Sequence, residues 1–189
     1  MKQLFTRSIG IFLGSLILPI AGAASTQREV SLAYFDQAAS VFMHPRCLNC
    51  HPAGDRPLQG TDMHLHIMNV QRGPDDHGAV GTKCAACHGE KNNKYSLVPG
   101  ASKWGLAPKE LAWVGLSKGD LCRRLKDPTR PGMMAHNMTE EEFIKHNAED
   151  KLVAWGWNPG AGREPVPMTQ KRFGEIVSKW IKSGAYCPE

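Results

Sequence analysis

A mainly α-helical fold with extensive coil is the class that this sequence of 189 residues predicts, and three patterns support it. Four segments after the N-terminal region have helical periodicity or helix-capping residues. Glycine and proline are frequent from residue 45 to residue 108, where periodicity is poor, so loops and single turns are expected there. No alternation of apolar and polar residues is long enough to predict a sheet.

The first two predicted helices flank this coil region. The first runs from Arg28 to Phe42, with Tyr34 and Val41 on its apolar face. The second begins at Ser117, a residue type that caps helices, and runs through Lys126. Asp127-Pro128 stops it, because proline cannot continue a helix.

Two further helices are predicted in the C-terminal third. Thr139 and Glu142 form a capping box that starts a helix carrying Phe143, Ile144 and His146, and then Leu152 and Val153. The last helix runs from Gln170 to Lys182 and ends before Gly184. Its apolar residues recur at helical spacing and predict a core-facing stripe: Phe173, Ile176, Val177, Trp180 and Ile181.

Two pentapeptides of the form C-x-x-C-H dominate the coil region, and they carry the strongest functional signal in the chain. They are Cys47-Leu48-Asn49-Cys50-His51 and Cys84-Ala85-Ala86-Cys87-His88, the first motif and the second motif. This pattern attaches a c-type haem. Cysteines three positions apart lie on the same side of a helical turn, where both sulfurs can form thioethers with the porphyrin vinyl groups. The next residue supplies an iron ligand, so His51 and His88 are the predicted proximal ligands.

Other chemistries also use C-x-x-C pairs. Cys47, Cys50, Cys84 and Cys87 are candidates for a four-cysteine zinc site, and each pair for a thioredoxin-like redox centre. However, 33 residues separate the pairs, against roughly 15–20 in common zinc modules. Neither alternative needs a histidine after both pairs. The preferred prediction is a set of cytochrome c-like helices and loops wrapped around two covalently bound haems.

The sixth ligand of each iron decides the function, because a protein ligand favours electron transfer whereas an open position permits catalysis or ligand binding. His66 is the preferred sixth ligand of one haem. It lies in the segment 63–68, which has the densest set of candidate ligands between the motifs. His64 and Met68 are its alternatives, since imidazole and thioether both bind haem iron.

His146 is the preferred sixth ligand of the other haem, because it lies on a predicted helix one turn after Phe143. His44 and His77 are expected to lie beside the site or at the surface. A histidine shortly before a haem motif can ligate the neighbouring haem, so His77 remains an alternative. The competitors of His146 are Met133, Met134, His136 and Met138.

Aromatic and basic residues are candidates for haem contacts. Trp155-Gly156-Trp157 is expected to cover a porphyrin edge, although core packing is the more ordinary role of a tryptophan. Arg46, Arg56 and Arg72 are candidates to pair with haem propionates, because guanidinium matches carboxylate geometry. An ordinary surface charge is the alternative for each arginine.

The N-terminus has the pattern of a secretory signal. Lys2 and Arg7 precede an apolar run from Ile9 to Ile20, followed by small residues at 21–24. We expect a signal peptide at 1–23, a single dihaem domain at 24–189, and a periplasmic protein. A retained membrane anchor is the alternative, but the run is shorter than the ~20 residues that a spanning helix needs. No later segment is predicted to span a bilayer.

Two cysteines remain after the haem motifs are assigned. An even remainder in an exported protein predicts a disulfide, here between Cys122 and Cys187, with a redox-active pair as the alternative. The formal charge of +5 falls to +3 without Lys2 and Arg7. This is no signature of nucleic-acid binding, although a local basic patch for an acidic redox partner is compatible with it.

Two further stretches carry a resemblance to a known family. Residues 47–57 read CLNCHPAGDRP, and residues 152–167 read LVAWGWNPGAGREPVP. The chain resembles small exported dihaem cytochromes that are sometimes labelled isoquinoline 1-oxidoreductase subunits. The likeness includes the His64/His66 segment, His146 and the end of the chain at 184–188. It departs at Gly105 and Thr82, where His and Met are expected in relatives.

The resemblance implies an electron-accepting cytochrome, and it implies a molybdenum hydroxylase as the redox partner and a membrane respiratory acceptor. The chain itself has no molybdenum or iron–sulfur motif. Electron transfer by a periplasmic dihaem c-type cytochrome is therefore the predicted function. A haem enzyme of peroxidase type with one open iron, or a haem-based gas or redox sensor, is the alternative.

Overall fold

The computed structural model describes residues 25–129 and 138–189, and in this part the chain is mainly helical with extensive coil and little sheet. The fold class predicted from the sequence is confirmed at that level. The five α-helices are α1 (Gln27–Phe42), α2 (Pro45–Leu48), α3 (Lys118–Leu125), α4 (Glu140–Glu149) and α5 (Gln170–Lys182). Short 3₁₀ turns lie at Ile67–Asn69, Cys84–Ala86, Lys109–Leu111 and Val153–Trp157.

The hydrophobic core lies where α1 and α4 pack against α5. The apolar stripe predicted for α5 is buried, with Phe173 at 1% and Trp180 at 0% exposure. Phe42 of α1 contacts Phe173 edge to face, with ring centres 5.0 Å apart. Burial of large aromatic side chains is the main contribution to stability in a domain of this size.

Helix capping places most helix boundaries where the sequence predicts them. The Oγ1 of Thr139 accepts a hydrogen bond from the N–H of Glu142, whose carboxylate accepts the N–H of Thr139. Ser117 caps α3, because its Oγ accepts the N–H of Asp120 at 3.1 Å. The prediction that α4 extends to Leu152 and Val153 is wrong. Helix α4 ends at Glu149, and the carboxylate of Asp150 accepts the N–H groups of both residues.

The predicted disulfide is confirmed: Cys122 of α3 is bonded to Cys187 in the C-terminal tail. Further contacts fix the same tail. The guanidinium of Arg123 donates to the carbonyl of Pro188 at 3.2 Å, and the ammonium of Lys126 donates to the carbonyl of Ala185 at 2.7 Å. The tail therefore closes over α3 beside α5.

Coil occupies most of the chain between α2 and α3, as predicted. Its strands, β1 (Leu58–Gln59) and β2 (His64–Leu65), have two residues each and pair antiparallel with Leu58 opposite Leu65. In residues 25–129 and 138–189, no helix is long and apolar enough to cross a membrane. The first C-x-x-C-H motif lies at the start of this coil, next to the helical core, and the second lies within it.

Candidate functional site

The first motif forms a single helical turn directly after α1. His44 caps the start of helix α2, and its Nδ1 accepts the N–H of Arg46 at 3.2 Å. The turn continues past the helix, because the N–H of Cys50 donates to the carbonyl of Cys47 at 3.1 Å. The N–H of His51 donates to the carbonyl of Leu48 at 3.0 Å. This geometry places the two thiols on one side with the histidine next to them.

A cavity of about 500 Å³, the first cavity, opens in front of this turn. Its volume is within the range of about 300–1,000 Å³ that is typical of ligand and cofactor sites. Cys47, Cys50 and His51 line it on one side, and His146 of α4 lines it as well. Aromatic side chains supply much of its remaining wall: Phe42, Trp104, Trp113, Phe143, Trp155, Trp157 and Phe173.

His51 is held as a neutral imidazole. Its Nδ1 lies 2.7 Å from the carbonyl oxygen of Leu111, to which it can only donate. The ring of Trp113 stacks on it, with centres 3.4 Å apart and planes 7° apart. Burial lowers the pKa of His51 to about 4. With Nδ1 donating its hydrogen, Nε2 carries the lone pair that a metal ion requires.

The second motif repeats this arrangement in another part of the chain. Its 3₁₀ turn, Cys84–Ala86, presents both cysteines and His88 to a second cavity of about 550 Å³. The Nδ1 of His88 donates to the carbonyl of Pro99 at 2.7 Å, and the ring of Trp104 stacks on it with planes 7° apart. Burial lowers the pKa of His88 too. Both motif histidines therefore have a carbonyl acceptor and a stacked tryptophan.

His66 lies opposite His88 in the second cavity, and their ring centres are 6.1 Å apart. An imidazole nitrogen binds a first-row metal at about 2 Å, so two imidazoles on opposite sides of one iron have ring centres about 6 Å apart. The Nδ1 of His66 donates to the carbonyl of Ile67 at 2.7 Å, which leaves Nε2 available. Arg56 holds this segment by donating to the carbonyl of His66 at 2.8 Å.

His146 lies in the first cavity with His51, and its proximity contributes to the low pKa of His51. It projects from the last turn of α4, where its Nδ1 lies 3.8 Å from the carboxylate of Asp150. Its side chain is 46% exposed, so it stands at the mouth of the cavity. The structure thus brings each preferred sixth ligand to a different motif, His66 to the second and His146 to the first.

The alternative ligands are placed less favourably. His64 pairs with the carboxylate of Asp62 at 2.7 Å, and His77 donates to the carbonyl of Trp104 at 2.9 Å. In the described part of the chain, neither histidine lines either cavity. Met68 lines the second cavity but is 75% exposed. Met138 lines the first cavity, whereas Met133, Met134 and His136 lie outside the described residues.

The space beside Gly105 is filled by the ring of His77, so the histidine that the resemblance predicts at position 105 would not fit there. A Cβ on residue 105 would lie 2.5 Å from the Nδ1 of His77. The His77 ring therefore occupies the space that a larger residue would need. Gly105 also lines both cavities, so His77 packs against a residue that the two cavities share.

Buried arginines supply positive charge to the cavities. Arg46 is 4% exposed and lines both cavities, and its Nη2 donates to the Oγ1 of Thr61 at 2.8 Å. Arg72 is also buried, lines the second cavity, and pairs with Asp76. Arg163 lines the second cavity and donates to the carbonyl of Leu97 at 2.8 Å. Arg163 is only partly buried, and it is not among the arginines predicted from the sequence, although it lies in the stretch 152–167 that carries the resemblance.

Two buried donors in the first cavity have no acceptor. The indole Nε1–H groups of Trp113 and Trp157 are buried and unpaired in the described structure, and both rings line this cavity. Buried polar groups are normally hydrogen-bonded, because an unpaired donor costs about 1–3 kcal/mol. A ligand with an acceptor, such as a haem propionate, would satisfy them. The donor set therefore fits the cofactor that the motifs predict.

The two cavities are neighbours. Cys50, Trp104 and Trp155 line both of them, and the two tryptophan rings meet edge to face with centres 5.0 Å apart. The Nε1–H of Trp155 donates to the Oδ1 of Asn92 at 3.1 Å, which fixes its ring. Trp155 and Trp157 both line the first cavity, whereas Trp180 belongs to the core.

Comparison with known proteins adds no relative: no family model, no curated protein and no solved structure matches this chain. In residues 25–129 and 138–189, no three His, Cys, Asp or Glu side chains converge as ligands for a metal ion, the four motif cysteines included. The functional interpretation of the two cavities accordingly rests on the residues that line them.

Proposed function

We propose that this protein is an exported dihaem c-type cytochrome that transfers electrons. One observation carries the proposal: His66 and His88 both line the second cavity, and their ring centres are 6.1 Å apart, close to the separation of about 6 Å expected for two imidazoles that bind one metal ion. Cys84 and Cys87 lie in the same cavity, where they would form the covalent tethers. A c-type haem would use all four side chains, the two thiols as covalent tethers and the two imidazoles as iron ligands.

The first cavity supports a second haem of the same type. Cys47 and Cys50 would tether it, and His51 and His146 would be its ligands. The unpaired indoles of Trp113 and Trp157 are donors of the kind that bind propionates. When bound, haem supplies an iron that alternates between Fe(III) and Fe(II).

The protein's part in electron transfer is to hold the ligands and to keep water away from the cavities. The carbonyls of Leu111 and Pro99 orient the imidazoles of His51 and His88, which fixes the nitrogen that faces the iron. If both histidines of each cavity bound the iron, no coordination position would remain for a substrate or a gas, and this favours an electron carrier over a peroxidase or a gas sensor. Trp104 and Trp155 line both cavities, so the two proposed haem sites are adjacent.

The cellular setting is part of the same proposal. The pattern at 1–23 supports export to the periplasm, where c-type haems are attached and disulfides form. The resemblance to dihaem cytochromes supports a molybdenum hydroxylase as the electron donor and a membrane respiratory component as the acceptor.

Ligand variants test the proposal. The protein is produced in a host that matures cytochromes c, and visible spectra are recorded oxidised, reduced and reduced under CO. His66→Ala and His146→Ala are each expected to give one CO-binding haem per chain, with both haems still covalently attached. His64→Ala is the matched control and is expected to bind no CO. A wild-type protein that binds CO would overturn the electron-carrier proposal in favour of an open-iron enzyme or sensor.

A further inference from the structure

The ring planes of His66 and His88 are crossed. In the second cavity these two imidazoles lie at 65° to each other, which is nearer to perpendicular than to parallel. When two imidazoles bind one iron, each ring overlaps with the iron d orbital that is directed along the normal to its plane. Parallel rings overlap with the same orbital and raise it, whereas crossed rings overlap with different orbitals and keep them close in energy.

Two contacts fix the plane of the His88 ring. Its Nδ1 donates to the carbonyl of Pro99 at 2.7 Å, and the ring of Trp104 stacks on it with planes 7° apart. If the ring turned about the bond from Nε2 to a metal ion, Nδ1 would leave the carbonyl and the two faces would no longer be parallel. The plane of His88 therefore depends on how firmly Pro99 and Trp104 are held.

The side-chain oxygen of Asn92 holds both of these partners. It accepts the N–H of Gly100 at 3.0 Å, and this N–H belongs to the same planar peptide group as the carbonyl of Pro99. The same oxygen accepts the Nε1–H of Trp155 at 3.1 Å. The ring of Trp155 packs edge to face on Trp104, with centres 5.0 Å apart. One amide oxygen thus supports both contacts that fix His88.

Asn92 is itself held in place. Its Nδ2 donates to the carbonyl of Asn158 at 2.7 Å, so both ends of the amide are hydrogen-bonded and its orientation is fixed. The backbone around Gly100 is tightly packed as well. A Cβ at this position would lie 2.4 Å from the carbonyl oxygen of Gly89 and 2.5 Å from that of Lys91. Asn92 therefore joins three well-packed segments of the coil.

We propose that Asn92 is a positioning residue that fixes the imidazole plane of His88 and keeps it crossed with that of His66 on the second haem. This inference rests on the proposed function, because the angle matters only if one iron binds both rings. Low-spin Fe(III) gains stability when one d orbital is raised above its neighbours, because that orbital holds a single electron. Crossed planes reduce this gain, so Asn92 favours the acceptance of an electron by this haem.

Electron paramagnetic resonance of the oxidised protein reports the angle between the two ligand planes. Crossed planes give a low-spin signal with one very large g value, whereas parallel planes give three well-resolved g values. The wild-type protein is expected to show the signal with one very large g value for the second haem. His66→Ala assigns this signal, because it removes the sixth ligand of that haem and the signal is expected to disappear.

The variants act on the acceptor oxygen of Asn92. Asn92→Leu removes it at a similar side-chain volume, so the largest g value is expected to fall and its line to broaden as the His88 ring turns. Asn92→Asp keeps the acceptor oxygen and is expected to keep the wild-type signal. Trp155→Phe is a milder second variant, since it keeps a ring against Trp104 and removes only the N–H that Asn92 accepts. It is expected to shift the signal in the same direction as Asn92→Leu.

Asn93→Leu is the matched control, with the same substitution at the next position. The Oδ1 of Asn93 also accepts two N–H groups, from Tyr95 at 2.9 Å and from Ser96 at 3.0 Å, but both donors belong to its own turn. The largest g value of the second haem is expected to be unchanged in this variant.

The outcomes separate the role of Asn92 from the haem proposal. A wild-type signal of the parallel type from the second haem would overturn the crossed arrangement. An unchanged signal in both Asn92→Leu and Trp155→Phe would overturn the role of Asn92, and so would an equal shift in Asn92→Leu and in Asn93→Leu or Asn92→Asp. A wild-type protein without covalently bound haem would instead overturn the proposed function.

Discussion

Removing the disulfide between Cys122 and Cys187 is expected to lower the free energy of unfolding by about 4 kcal/mol. The bridge closes a loop of 65 residues. In the chain-entropy model, a cross-link over that distance lowers the entropy of the unfolded chain by about 15 cal/mol/K, which gives about 4 kcal/mol at 25 °C. The loop contains α4 and α5, so the unfolded state of the variant gains freedom over about a third of the protein.

The disulfide can be removed in two ways, and comparing them separates the effect of the bridge on the free energy of unfolding from the effect of replacing the cysteine side chains. One is Cys122→Ala/Cys187→Ala, which leaves no buried hydroxyl at Cys122, a residue with 0% exposure. The other is the wild-type protein treated with a phosphine reductant, which opens the disulfide and leaves thioethers intact. Guanidinium denaturation followed by far-ultraviolet circular dichroism gives the free energy of unfolding for each form.

Agreement of the two forms at a loss of about 4 kcal/mol supports the entropic reasoning. A loss below about 1 kcal/mol in both forms would refute it. In that case the hydrogen bonds from Arg123 and Lys126 to the tail would be sufficient to hold the C-terminus in place.

Three further predictions concern stability and use the same denaturation assay. Thr139→Ala removes the cap of α4 and is expected to cost about 1 kcal/mol, whereas Thr139→Ser should be nearly neutral. Phe173→Ala, at a site with 1% exposure, is expected to cost about 3–5 kcal/mol. Gly105→Ala crowds His77 and is expected to cost roughly 1–3 kcal/mol, and His77→Ala should relieve part of that cost. An unchanged midpoint in any of the three contradicts its packing or capping argument.

Local chemistry made much of this fold predictable. The starts of α3 and α4 depend on the side chains of Ser117 and Thr139, which bond to backbone groups three residues away. The apolar residues of α5 recur at helical spacing within one short stretch of sequence, so the buried face of this helix can be predicted without knowing the tertiary structure. The predicted end of α4 is wrong, because the carboxylate of Asp150 accepts the N–H groups of Leu152 and Val153 and the helix stops before them.

Contacts between distant segments could not be predicted in the same way. The C-x-x-C-H motifs indicate which histidines follow the cysteines, but they do not indicate that His66 meets His88 or that His146 meets the first cavity. Those pairings depend on how the coil folds back on itself. The stacking of Trp113 on His51 and the placement of Arg163 are likewise tertiary, with no local pattern to predict them.

The central claim is that each of the two cavities holds a covalently bound haem with two histidine ligands. The most direct measurement combines the intact mass of the exported protein with its visible spectrum, recorded oxidised, reduced, and reduced under CO. We expect a mass increased by two haems, low-spin spectra in both oxidation states, and no change on addition of CO. A mass without haem would show that the cavities hold no covalent cofactor, and a CO-binding spectrum of the wild-type protein would show that an iron lacks its second histidine ligand.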